Sequence, residues 1–145
     1  MTDIEYISYT DESMLKDVQK LVSKDLSEPY SVFTYRYFLH NWPFLCICAY
    51  ITENETTSSD DMKKLIGTIV CKLEGGENNN QSGYIAMLAV DVNYRKQGIG
   101  MKLVNAGIEN MISMGCREVV LETEVYVCMY VCMYVTDEVQ RVYVQ

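Results

Sequence analysis

The sequence predicts a mixed α/β layer fold in a single domain, with elements in the order β-α-α-β-β-β-α-β. Three observations carry that prediction. Short apolar runs of strand character alternate with segments of helical spacing. The run Tyr84 to Val90 is too apolar for a strand with one wet face, so it reads as a central strand covered on both sides. The segment after Gly98 has the length and helical spacing of a crossover between parallel strands. At 145 residues, 49% hydrophobic and 22% charged, the chain has the size of one domain and can remove about two-thirds of its surface from water on folding.

The elements follow in order. Ile4 to Tyr9 alternates as a strand, and Asp11 or Ser13 supplies an oxygen to cap a helix with Leu15, Val18 and Val22 on one face. The stretch from Leu26 to Tyr30 breaks the pattern, because the residue before Pro29 is pushed out of helical geometry. An aromatic helix runs from about Val32 to Asn41. Leu45 to Ile51 and Leu65 to Leu73 read as buried strands, separated by the polar stretch Thr52 to Asp61. A second polar loop, Glu74 to Ser82, leads to the strand Tyr84 to Val90. Asp91 to Gly100 is a turn opening a helix on which Leu103, Val104, Gly107, Ile108 and Met111 share a face until Gly115 ends it. Val119 to Leu121 starts another strand.

Twenty acidic residues against twelve basic ones give a net charge of −8, which opposes direct binding to nucleic acid or anionic membranes. No run of about 18 apolar residues is present to span a bilayer. Met1 to Glu5 lacks the basic start and apolar stretch of a signal peptide, so the expected location is cytoplasmic. Six cysteines occur without a Cys-x-x-Cys pair, and His40 is the one imidazole, so the cysteines read as buried free thiols and no metal is expected. Tyr126 to Val135 spells Tyr-Val-Cys-Met twice and then Tyr-Val, a low-complexity repeat that one choice of codons would write as a repeated four-base unit. Residues 126–145 are therefore expected to be an aberrant tail.

The chemistry concentrates between Tyr94 and Gly100. Gly98 and Gly100 stand where a strand hands over to a helix, so bare backbone N–H groups at the helix start can approach an anion such as a pyrophosphate. Glycines also occur at such turns for steric reasons alone, and the spacing by itself leaves both readings open. A Walker Lys-Ser/Thr is absent, and Leu103 stands where a dinucleotide fingerprint needs its third glycine, which disfavours ATP and NAD.

Arg95-x-x-Gly98-x-Gly100, after an apolar strand and opening an amphipathic helix, resembles the acetyl-CoA signature of the GCN5-related N-acetyltransferase superfamily. The stretches Asp25 to Pro43, Gly83 to Val90 and Glu118 to Glu124 resemble, more narrowly, the catalytic subunits of the N-terminal acetyltransferase complex NatC, with the likeness running from residue 4 to 125. That resemblance implies a GCN5-related N-acetyltransferase fold and acetyl-CoA as co-substrate. It implies that the backbone of Leu88, Ala89 and Val90 pairs with the pantetheine arm, and that Arg95, Lys96, Gln97, Gly98, Ile99 and Gly100 cradle the pyrophosphate. Leu26, Glu28, Pro29 and Tyr30 would surround the acceptor, the N-terminus of a nascent chain beginning with Met and a hydrophobic residue, with Tyr84 and Met87 below it. Glu122 would be the catalytic base. The implied partners are NatC auxiliary subunits and the ribosome.

After Leu121-Glu122-Thr123-Glu124 the sequence departs from the family, which continues into an Asn-x-x-Ala helix bearing a tyrosine acid and then into two strands. The resemblance thus implies that residues 1–125 are a partial N-acetyltransferase domain, with the fold incomplete at its C-terminal side and a sheet edge uncovered. It also raises an alternative, a non-catalytic acetyl-CoA-binding or complex-assembly chain.

Overall fold

A computed structural model describes residues 3–24, 26, 28–53, 62–75 and 81–121, together with the backbone of 141–144. Six strands form one sheet in sequential order: β1 (Ile4–Ser8), β2 (Cys46–Glu53), β3 (Met62–Glu74), β4 (Gln81–Val90), β5 (Cys116–Leu121) and β6 (Arg141–Val144). The first three pairings are antiparallel, whereas β4 with β5 and β5 with β6 run parallel. Helices α1 (Glu12–Ser23) and α2 (Val32–Asn41) cover one face, and α3 (Ile99–Ser113) covers the other as the crossover from β4 to β5. The predicted element order holds throughout residues 3–121.

Local chemistry explains the helix ends. Asp11 caps α1 by accepting the Ser13 N–H at 2.9 Å, and Ser31 caps α2 through the Thr34 N–H at 3.4 Å. The α3 chain leaves its helix through Gly115 at φ 90°, whose N–H reaches the Ile112 carbonyl at 2.9 Å. Asn110 ties α3 to the turn before β2 by donating from Nδ2 to the Phe44 carbonyl at 3.1 Å.

The strand boundaries differ from expectation for identifiable reasons. Pro43–Leu45 folds as a 3₁₀ turn, so β2 starts at Cys46 rather than Leu45. Ladder pairing carries β3 back to Met62, β4 back to Gln81 and β5 back to Cys116, into polar residues that apolar patterning does not mark. The stretches 54–61 and 76–80 of the two expected loops, and the repeat Tyr126–Val135, lie outside the described residues. The expectation of an uncovered edge on the last strand is corrected, because β6 pairs along β5 from Glu118↔Arg141 to Leu121↔Val144.

The core is two layers divided by the sheet. Ile47, Ala49 and Ile51 of β2 pack with Leu103, Ile108 and Met111 of α3, while Cys46, Cys48 and Tyr50 pack with Leu15, Val18 and Leu39 of the other two helices. Alternation thus makes β2 apolar on both faces. Cys46, Cys48, Cys71 and Cys116 are free and buried, as the sequence suggests, and Thr68, fully buried beside Cys46 and Cys48, donates its hydroxyl to the Ile47 carbonyl at 3.1 Å.

β4 corrects the expectation of a strand covered on both sides along its whole length. A bulge at Ala86, between the pairs Cys71↔Ile85 and Val70↔Met87, makes its faces exchange. Gly83 and Ile85 face α3, with the Gly83 Cα directed at Met111, whereas Met87 and Ala89 belong to the core under α1 and α2. Leu88 is left 36% exposed.

Candidate functional site

The bulge at Ala86 lies just past the last described β4–β5 pair, Ile85↔Leu121, and Leu121 is the last described residue of β5. β4 is paired to β3 as far as Val90, which lies opposite Gly67, but its pairing with β5 ends at Ile85↔Leu121. Among the described residues the outer edge of β4 from Ala86 to Val90 therefore has no ladder partner. Bulges add local twist to the strand that carries them. The stretch from Ala86 to Val90, termed the wedge wall here, offers backbone groups for an extended ligand in the manner of an added strand. Leu88, Ala89 and Val90 are its last three residues.

The wedge wall leads directly to the glycine turn. Asp91 begins a 3₁₀ turn, Val92–Tyr94, by accepting the Asn93 N–H on Oδ1 at 2.9 Å. Lys96 at φ 63° and Gly98 at φ 81° then bend the chain through the left-handed region, and α3 starts at Ile99. Gly98 caps the helix with no side-chain hydrogen bond, so the first N–H groups of α3 lack protein acceptors of the capping kind. No acidic residue lies in the first turn. These features favour an anion at this helix start.

The two glycines serve different ends. A Cβ on Gly98 would meet nothing within 4 Å, so its positive φ is what calls for glycine there. A Cβ on Gly100 would meet Val90 Cγ2 at 3.7 Å, an ordinary contact, so protein packing does not require glycine at that position. The purely steric reading of the pair thus holds at Gly98 and fails at Gly100, where the missing side chain leaves room beside the helix start. Ile99 is buried and anchors the turn, while Lys96 and Gln97 are exposed. Arg95 is exposed but engaged, donating from Nε to the Val90 carbonyl at 3.0 Å, which ties the turn to the end of the wedge wall. Lys102 lies with Nζ 5.8 Å from the Tyr6 ring centroid.

The acceptor residues implied by the resemblance gather on the other side of the sheet. Tyr84 lies between Gly83 and Ile85, which face α3, so it faces the α1 and α2 side, and the bulge brings Met87 to that same face. Met87 is only 6% exposed and acts as a floor beneath the surface. Leu26 packs against the same core, and Glu28, Pro29 and Tyr30 are exposed, with the Tyr30 ring edge-on to buried Tyr35 at 6.1 Å. Glu122, the implied base, lies outside the described residues and directly follows Leu121, the last residue of β5.

Three participants were not singled out from the sequence. Lys72 places Nζ 5.1 Å from the Tyr84 ring centroid and 2.9 Å from Glu74, whose hydrogen bond raises the Lys72 pKa. Only strand register brings Lys72 opposite Tyr84. The Ala86 bulge has one trace, the loss of alternation across Ile85 to Ala89 that was read as two-sided coverage. Asp91 is the third. Its Asp-x-Asn spacing is an Asx-turn signal, but its burial, at 5% exposure, has no sequence signature. Its carboxyl is held below the usual carboxylate range, first by the Asn93 N–H, against the opposing effect of burial, and then by Lys24 and Lys64.

Comparison with known proteins agrees with this geometry. Residues 15–127 match the family model of the Acetyltransferase (GNAT) family. N-alpha-acetyltransferase 30 of Homo sapiens is 48% identical over 122 residues, which are 84% of this chain and 31% of that protein. N-alpha-acetyltransferase MAK3 of Arabidopsis thaliana is 46% identical over 123 residues, covering 85% of this chain and 59% of the relative. The chain thus spans between about a third and three-fifths of the length of these relatives. A chain from the crystal structure of the NatC complex bound to Gag peptide and CoA superposes with a TM-score of 0.75 at 38% identity, over 90% of this chain and 82% of that one. With its mixed sheet and its glycine turn at the start of α3, the chain belongs to the GNAT acetyltransferase family.

Proposed function

We propose that this chain is a peptide α-N-acetyltransferase that moves an acetyl group from acetyl-CoA to the α-amine of nascent chains beginning with Met and a hydrophobic residue. The observation that carries the reading is the convergence of two features at Val90: a backbone edge with no ladder partner among the described residues, for an extended pantetheine arm, and a left-handed glycine turn at a helix start for its diphosphate. The identity to proteins named N-alpha-acetyltransferase 30 supports the choice of acceptor. Leu26, Glu28, Pro29, Tyr30, Tyr84 and Met87 are the proposed acceptor contacts. Burying a large second side chain is worth roughly 1.5–3 kcal/mol, enough to favour Met-Leu over Met-Ser.

In the proposed reaction the neutral amine attacks the thioester carbonyl, the C–N bond forms, the C–S bond breaks and CoA leaves as thiolate. Glu122, the residue after the last β4–β5 pair, takes the ammonium proton, directly or through water. The demand on it is modest. An α-amine with a pKa near 7.7–8.0 is roughly a tenth neutral at pH 7, whereas a lysine amine costs about 3.5 kcal/mol more to deprotonate. General-base help of ~10² to 10⁴ is the expected scale.

The proposed setting is a NatC-like complex on the ribosome in the cytoplasm. The exposed aromatics of α2 and the following turn, Phe33 at 74%, Tyr37 at 48% and Phe44 at 38%, support a partner surface. Among the described residues no helix is long and apolar enough to cross a membrane.

The coenzyme half is tested by titrating CoA into the chain and its Gly98→Val variant. An ordinary side chain in the left-handed region costs roughly 1–2 kcal/mol, more when β-branched, so affinity falls about tenfold or more. Unchanged affinity overturns the assignment of the turn. The acceptor half is tested by acetylation of Met-Leu against Met-Ser peptides, and equal kcat/KM for the two overturns it.

A further inference from the structure

Asp91 is the most deeply buried charge among the described residues, and the reaction proposed above gives it no part. Five contacts fix it. Its N–H donates to the carbonyl of Ile66, the extra residue of the β2–β3 bulge, at 2.7 Å. Its carbonyl accepts the Tyr94 N–H at 2.9 Å, and its Oδ1 accepts the Asn93 N–H, so the carboxylate sets the path of the chain into the glycine turn. Its Oδ2 lies 3.7 Å from Lys24 Nζ and 3.9 Å from Lys64 Nζ.

Lys24 is the C-cap of α1, and the next residues are the loop that carries Leu26, Glu28, Pro29 and Tyr30. The loop start is further held by the Leu26 N–H on the Ser23 carbonyl at 3.3 Å. One carboxylate therefore touches the base of the anion turn and the root of the acceptor loop. Electrostatics makes its position more telling. A negative charge next to a diphosphate site works against the ligand, and the two lysines around it offset that charge. A turn needing only an Asx cap for Asn93 would be served by asparagine or serine, without an anion to neutralise.

We propose that Asp91 is a positioning residue that couples the coenzyme turn to the acceptor loop through Lys24, so that CoA on the turn raises the affinity of the loop for the acceptor peptide. The inference rests on the site assigned above. A bound diphosphate fixes the turn, the turn fixes the carboxylate through Asn93, and the fixed carboxylate holds Lys24 and with it the last turn of α1. Ordering the loop root in advance lowers the entropy that peptide binding must remove. By linkage the peptide strengthens CoA binding by the same factor.

The test is calorimetric titration of the full chain with a Met-Leu peptide, with and without saturating CoA, for the parent, Asp91→Asn, Lys24→Met, the double variant and Lys64→Met. The expected parent ratio of peptide Kd without and with CoA is at least 5. In Asp91→Asn and in Lys24→Met it falls below 2, the double variant falls no further, and CoA affinity alone stays within threefold of the parent. Lys64→Met keeps the ratio, because Lys64 lies on β3 and not on the loop. A carboxylate that merely supports the fold would weaken both ligands and leave the ratio intact, and that outcome overturns the proposal. So does a ratio that persists in Lys24→Met, whose half-exposed side chain puts no folding at risk. A parent that binds CoA and peptide without coupling removes the proposal and leaves the site standing; a parent that binds no CoA removes the site and the proposal with it.

Discussion

Gly67 tests whether the seat of α3 on β3 sets the anion turn. A Cβ there would lie 3.0 Å from Leu103 Cδ1, 3.1 Å from Ile99 Cγ2 and 3.6 Å from Ala49 Cβ, all inside the buried core. Gly67 is opposite Val90, the end of the wedge wall, and Ile99 is the first residue of α3. Gly67→Ala therefore pushes the helix start away from the sheet at the point where the diphosphate is proposed to bind. Overpacking of this kind costs about 1–3 kcal/mol, and alanine in a strand recovers about 0.5–1 kcal/mol of chain entropy, leaving a net loss of roughly 0.5–2 kcal/mol. For a domain of this size that lowers Tm by roughly 2–8 °C. Gly107 is the internal control: its Cβ would meet Ile69 Cδ1 at 3.2 Å, the end of a side chain, and Cys71 Sγ at 3.5 Å. Helix propensity gains about 1 kcal/mol on Gly107→Ala, so its Tm stays level or rises. Thermal melts with calorimetric CoA titration separate the two, with CoA affinity falling at least threefold in Gly67→Ala and unchanged in Gly107→Ala. A Gly67→Ala protein as stable as the parent and with the same CoA affinity would refute the reasoning that this contact positions the turn.

Other measurements probe other parts of the structure. Because the Asp91 carboxyl is held low in the folded state, its contribution is fully present above the ordinary carboxylate pKa of about 3.9 and is lost as pH falls through the folded value. Urea unfolding should therefore show Asp91→Asn less stable than the parent at pH 7, with the gap closing toward pH 3; a gap that widens with acid contradicts the assignment. Burial pushes the Cys71 and Cys116 thiols up, and Cys46 is raised by its hydrogen bond with Cys48 and by burial, so these three should resist a thiol reagent until urea unfolds the chain. Fast labelling of any of them in the native state, read by peptide mapping, would show that the sheet opens. Asp11→Ala removes the α1 cap and should cost about 0.5–2 kcal/mol, whereas Lys63→Ala, which loses an exposed pair with Glu5, should cost under about 1 kcal/mol.

Helices were legible because their signals are local. Asp11, Pro29 and Gly115 mark ends by their own chemistry, and α2 runs over the residues expected of it. The glycine turn was legible for the same reason. Pairing is not local, and there the sequence was silent: the start of β4 at Gln81 follows from partners on β3 and β5. The wedge wall is the deepest case. It begins at one extra residue, Ala86, and alanine carries no mark of a bulge. What the sequence does show is a consequence, a run in which both faces turn apolar because they exchange half-way, and that is indistinguishable in composition from a strand buried on both sides.

The division of the site along the chain separates binding from turnover experimentally. The wedge wall, the glycine turn and the described part of the acceptor loop all lie before Leu121, while the proposed proton acceptor follows it. Glu122→Gln should leave CoA affinity within a factor of two and lower kcat for a Met-Leu peptide by ~10² to 10⁴. Its rate should also lose the rise with pH that a titrating base imposes on the parent. Equal losses of CoA affinity and rate would make Glu122 a structural support rather than a base. An unmodified chain that binds CoA as tightly as a full-length relative, yet shows no turnover even with auxiliary subunits present, would favour the non-catalytic reading. In that case the wedge wall and turn would be a coenzyme-binding surface whose chemistry has been lost, because nothing in an unpaired strand edge or a helix start requires that the bound thioester react.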